Sequence, residues 1–70
     1  MKTITIGSRI KTLRTQRRLT QGQLALALGV TPQAVSRWEL EHSYPDLELL
    51  PVIAEYFSVS TDFLLGMREE

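Results

Sequence analysis

The sequence predicts an all-α fold organised around a helix-turn-helix, and three observations carry that prediction. Residues 20–41 read as two short helices joined by a tight turn. Apolar residues before and after them recur at spacings of three and four, the period of one helix face. The chain has 70 residues, 43% of them hydrophobic, which makes one small domain near the lower limit for a self-supporting core. With no cysteine and a single histidine, neither disulfides nor a thiolate or zinc site can staple it. The core must therefore come from helix packing, and no metal or cofactor is expected.

The first helix is expected to start at a Thr5 cap and run to about Arg18. Ile6, Ile10 and Leu13 form its buried stripe, and Arg14, four residues after Ile10, projects towards the same interior. Leu19 is a candidate core residue between the first two helices. Thr20 and Gln23 form a Thr-x-x-Gln capping box for the second helix, whose apolar stripe is Leu24, Ala25 and Leu28. Gly29 tolerates the positive φ that a sharp stop demands. Thr31 and Pro32 then restart the chain, as an N-cap and a proline at the first helical position.

The third helix, Pro32 to about Leu40, has two faces. Ala34, Val35 and Trp38 point inward, whereas Gln33, Ser36 and Arg37 share the other face and contribute nothing to a core. Glutamine and arginine can make paired hydrogen bonds to adenine and guanine edges, and serine donates or accepts. Most polar helix faces are only solvated. A helix presented after a tight turn, however, has the shape that enters a major groove with its N-terminal residues foremost. Both helix starts, with Thr20 and Gln21 at one and Thr31 and Pro32 at the other, offer free amides and a dipole that suit phosphate.

Asp46 is the expected cap of a fourth helix continuing to about Phe57. Pro51 belongs in a first turn, so residues 46–49 are expected to form a separate turn, with regular helix from near Leu50. Leu47, Leu50, Ile53, Ala54 and Phe57 have core-facing spacing. Ser60 or Thr61 caps a last helix, Asp62 to Leu65, which Gly66 stops. Phe63 and Leu64 are expected to close the core. Residues 5–66 thus make one domain, and residues 67–70 a charged tail.

The chain resembles the lambdoid phage repressor and Cro family, also called the XRE family. The matching residues are Leu19-Thr20-Gln21, Leu24-Ala25, Leu28-Gly29-Val30-Thr31, Val35-Ser36 and Trp38-Glu39. The similarity continues through Tyr44-Pro45-Asp46, Leu49-Leu50-Pro51 and Val59 to Gly66, so it spans nearly the whole chain. The resemblance implies a lambda-repressor-like bundle of five helices and sequence-specific binding of double-stranded DNA, more often as a repressor. Because one short helix reads only a few base pairs, a homodimer at least on DNA and a palindromic operator are expected. The resemblance also implies a partly buried ion pair between Arg14 and Glu39, and a contact of Gln21 with the DNA backbone. Many relatives carry Asn-Gly and a base where this chain has Leu40-Glu41-His42. Glu41 is expected to forfeit a glycine cap and to repel phosphate, so the third helix is expected to run slightly longer. His42, Ser43 and Tyr44 remain candidates for neutral hydrogen bonds to phosphate.

Net charge is zero, which by itself argues against a nucleic-acid binder. Its distribution argues the other way. Residues 1–38 hold Lys2, Arg9, Lys11, Arg14, Arg17, Arg18 and Arg37 with no acid, whereas residues 39–70 hold eight acids and only Arg68. Such a dipole can face phosphate with its basic side. Arg9, Lys11, Arg17 and Arg18 are expected to be solvated, the last two near phosphate. A mean hydropathy of −0.08 and no apolar run of membrane-spanning length point to a cytoplasmic protein without a membrane partner. An enzyme is not expected, since no nucleophile–base set or phosphate-binding glycine loop is present. The alternative reading keeps the fold but makes it the DNA-binding module of a larger regulator, or an antitoxin acting mainly through a protein partner. Either allows a fused or separate effector.

Overall fold

The computed structural model describes residues 5–68. Five α-helices follow one another: α1 Ile6–Gln16, α2 Gln21–Leu28, α3 Pro32–Glu39, α4 Leu50–Phe57 and α5 Thr61–Leu64. A 3-10 turn, Leu47–Leu49, precedes α4. All but α1 have eight residues or fewer, too short to be stable alone, so packing decides their stability. Ile6 and Ile10, Leu24 and Ala25, Val35 and Trp38, Ile53 and Phe57, and Leu64 meet in one buried cluster to which every α-helix contributes. Each large side chain among them contributes roughly 1.5–3 kcal/mol by leaving water.

Local signals set most boundaries. Thr20 accepts a hydrogen bond from the Gln23 amide while the Gln23 side chain accepts from the Thr20 amide, completing the capping box at 3.0 and 2.8 Å. Gly29 turns left-handed at φ 74°. Thr31 then caps α3 through the Ala34 amide, with Pro32 in its first turn. Ser60 caps α5 through the Phe63 amide. The separate turn before α4, with Pro51 in the first turn of that helix, is as the sequence suggests.

Several expectations need correction. Helix α1 stops at Gln16, two residues early, because Arg18 takes a left-handed φ of 57° and Leu19 donates back to the Arg14 carbonyl. The Thr5 side chain makes no capping hydrogen bond, nor does that of Asp46. Leu19 is half-buried and outside the core cluster. Leu47 is 81% exposed, since the 3-10 turn carries it off the face that the α4 residues share. Phe63 is half-buried, under the Arg9 guanidinium at 4.5 Å. Arg17 is exposed as expected, but it is also engaged within the fold. Its guanidinium donates to the carbonyls of Tyr56 and Phe57 and lies over both rings, giving the C-terminus of α4 the cation that its own last turn lacks.

Helix α3 does not run on past its expected end. It stops at Glu39, and Glu41 itself takes the left-handed position at φ 61°, with His42 donating back to the Arg37 carbonyl. The Glu41 carboxylate then accepts the Ser8 amide at 3.0 Å, capping α1 from across the fold. The same approach explains Gly7. A Cβ there would overlap the Trp38 carbonyl oxygen and the Glu41 carboxylate. The start of α1 and the end of α3 are thereby clasped together.

Candidate nucleic-acid interface

Helix α3 is held from beneath by Val35, fully buried, and Trp38, 4% exposed. That anchoring leaves Gln33 and Arg37 exposed and Ser36 half-exposed on the outer face. Pro32 and Thr31 are exposed at its start, and Thr20 at the start of α2. Each threonine oxygen already accepts one capping amide and retains its hydroxyl proton, which it can donate to a phosphate.

Gln21 is not a freely projecting residue. Its Nε2 donates to Glu39 Oε1 at 3.0 Å, which ties the start of α2 to the last residue of α3. Arg14 and Glu39 form a two-pronged ion pair, with Arg14 Nε donating to Oε2 at 2.6 Å and Nη2 to Oε1 at 2.9 Å. Arg14 Nη1 also donates to the Leu19 carbonyl at 2.7 Å. The two side chains are 12% and 3% exposed. Burial pushes the Glu39 carboxyl up, but the hydrogen bonds from Arg14 and Gln21, with the charges of Arg14 and Lys11, outweigh it and hold the group below its ordinary value. The hydrogen bond to Glu39 holds Arg14 above its own.

His42, Ser43 and Tyr44 are exposed on the loop after α3. Tyr44 borders an apolar groove of about 200 Å³, which it lines with Ile6, Pro45, Leu47, Leu50 and Leu65. Sequence reasoning missed this groove, because the exposed Leu47 reads as core by spacing alone. The basic surplus of the N-terminal half also shrinks in three dimensions. Arg14 and Arg17 are engaged within the fold and Arg9 stacks on Phe63; Lys11, Arg18 and Arg37 are exposed without such a contact among the described residues, and Lys2 lies outside these. Among the described residues no cluster of three metal-ligating side chains occurs, and no helix is long and apolar enough to cross a membrane.

Residues 10–64 match the helix-turn-helix family model. The chain is 44% identical over 63 residues to the HTH-type transcriptional activator BcrR of Enterococcus faecalis, covering 90% of this chain and 31% of that protein. In three dimensions it is similar to the P22 c2 repressor solved in complex with a synthetic operator, with a TM-score of 0.83, 28% identity, and coverage of 97% of this chain and 100% of that one. A transcriptional regulator from Listeria innocua superposes with a TM-score of 0.89 at 28% identity, over 99% of this chain and 64% of that one. The chain spans between 30% and 55% of the length of the curated relatives it matches. With capping box, left-handed Gly29, second cap and proline all in place, and with the family model covering α2 to α5 in full, the chain belongs to the repressor- and Cro-like (XRE-type) helix-turn-helix family.

Proposed function

We propose that this chain is a sequence-specific binder of double-stranded DNA that regulates transcription, reading the major groove with α3. The observation that carries the proposal is the fixed outward presentation of Gln33, Ser36 and Arg37 by a helix whose other face is locked through Val35 and Trp38. Gln33 and Arg37 suit adenine and guanine edges. Thr20, Gln21, Thr31 and Pro32 lie at helix starts suited to phosphate, with His42, Ser43 and Tyr44 as neutral contacts beyond α3. The operator complex of the similar P22 c2 repressor supports this reading. Occupying an operator is enough to block transcription, so repression is the simplest outcome. Such a regulator works in the cytoplasm, beside the chromosome.

One short helix reads only a few base pairs, too few to define a site in a genome. Two copies on a palindrome, with half-sites ~10 base pairs apart, meet that need. A second reading, in which the same interface is the DNA-binding module of a larger regulator, is supported by the longer relatives. Selection of bound duplexes from a random pool, followed by footprinting, tests the reading. The expected result is an enriched palindrome protected in both halves. A pool that shows no enrichment, or a saturated footprint on a single asymmetric half-site, contradicts it.

A further inference from the structure

Leu40 belongs to the outward face of α3, although it stands one residue past the end of that helix. Its amide donates to the Ser36 carbonyl at 3.0 Å, the four-residue step of the helix itself, so Leu40 keeps helical register. Seven positions after Gln33, four after Ser36 and three after Arg37, it falls on the same stripe as those three. It is 60% exposed. Single exposed leucines are ordinary on protein surfaces. This one interrupts the polar face that the DNA-binding reading turns towards base pairs. The chain also fixes it there. Glu41 turns left-handed immediately afterwards, at φ 61°, and its carboxylate accepts the Ser8 amide of α1, which holds the end of α3 against fraying. Side chains on a helix incline towards its N-terminus, so Leu40 leans back over Ser36 and Arg37, towards the end that enters the groove.

What such a side chain can recognise is narrow. It has no donor or acceptor for a phosphate oxygen or a base edge. The major groove offers it one apolar group, the 5-methyl of thymine, which the other three bases lack. We infer that Leu40 is a specificity-determining residue that packs against the 5-methyl group of one thymine in each half-site. This rests on the DNA-binding reading above and deepens it, by giving α3 a base that it selects without a hydrogen bond. The contact takes both the leucine and the methyl group out of water, and any other base leaves the leucine against a polar edge or a gap.

The test removes the methyl group alone. Each thymine of the selected operator is replaced in turn by deoxyuridine, symmetrically in both halves, which leaves every hydrogen-bonding group of the base in place. Affinity is measured for the wild type and for Leu40→Ala, well below their melting temperatures and with folding checked by circular dichroism. At one position the replacement should weaken the wild type about three- to fivefold per half-site, the scale of one buried methyl group. Leu40→Ala should bind the thymine operator about three- to tenfold more weakly per half-site, and deoxyuridine at that position should then cost nothing further. A selected half-site without thymine, or a wild type indifferent to every replacement, overturns the inference. So does a deoxyuridine penalty that survives in Leu40→Ala, or a loss in that variant that is equal on both duplexes, which places the leucine against sugar instead of base. Should the alanine variant fail to fold, Leu40→Gln, of similar length, takes its place with the same loss of the deoxyuridine penalty expected. A wild-type chain that selects no duplex overturns the DNA-binding reading itself, whereas a binder without this coupling overturns only the role of Leu40.

Discussion

Among individual residues, Arg14 and Glu39 carry the largest electrostatic stake. Removing either partner alone leaves a charge stranded where water is scarce, so Arg14→Ala or Glu39→Ala should cost about 3–5 kcal/mol. A double-mutant cycle in urea should return a clear coupling energy, and additivity of the two losses would contradict a working pair. The pH dependence has a defined sign. Glu39 has a lower pKa in the folded state than in the unfolded chain, so between the two values the unfolded chain binds more protons and stability rises with pH. The contribution is complete above the unfolded value of about 4.3 and is lost as pH falls through the folded one. Thermal melts between pH 7 and pH 3 should therefore fall more steeply for the wild type than for the Arg14→Met, Glu39→Met pair. Parallel curves would show that the carboxylate gains nothing on folding.

At the scale of elements, what was legible in the sequence follows how local each interaction is. The caps at Thr20, Thr31 and Ser60 act within three residues, so residue type and spacing are enough to find them. The capping of α1 by Glu41 spans 33 positions and the capping of α4 by Arg17 spans 39 and 40, and no local pattern announces either. Glu41 also shows why a missing glycine misleads. A left-handed non-glycine residue is strained by roughly 1–2 kcal/mol, yet the chain accepts the strain because the carboxylate caps another helix. Glu41→Gly relieves that strain while losing the cap, two terms of similar size, and should be nearly neutral. Glu41→Ala keeps the strain and loses the cap, which should cost about 0.5–2 kcal/mol. Chemical denaturation checks the order, and alanine equal to or better than glycine would rule out this account. Gly7→Ala should be worse, at about 1–3 kcal/mol, because its methyl group meets backbone as well as side chain.

For the whole molecule, fold class and helix order were readable because hydrophobic period and punctuation agree along the chain. The charge arrangement was less so. Seven bases in the first 38 residues suggest a strongly cationic face, but Arg14 and Arg17 are committed within the fold. With those two engaged, five of the seven bases are left, so binding should depend on salt with a log–log slope no steeper than about −4.5 per copy. Seven available bases would give roughly −6. Affinities measured over a range of salt concentrations separate the two, and a slope near the larger value would mean that the arginines engaged in the fold are released on DNA.

If the outward face of α3 reads bases, the operator affinities of Gln33→Ala and Arg37→Ala must show it. Each variant is titrated against the selected site and against a set with every half-site position changed in turn. Gln33→Ala should cost about 1–3 kcal/mol on the selected site and lose discrimination at one position, leaving the salt slope unchanged, since a neutral amide releases no counterion. Arg37→Ala should cost a similar amount and lose discrimination at a guanine. If Arg37 grips only phosphate, affinity instead falls evenly across all sites and the slope shrinks by about one unit. Trp38→Ala, which removes a buried ring, is the control and should lower the melting temperature, at a cost of about 3–5 kcal/mol. If Gln33→Ala and Arg37→Ala both keep the affinity and the site preference of the wild type, this face of α3 is not the one that meets DNA.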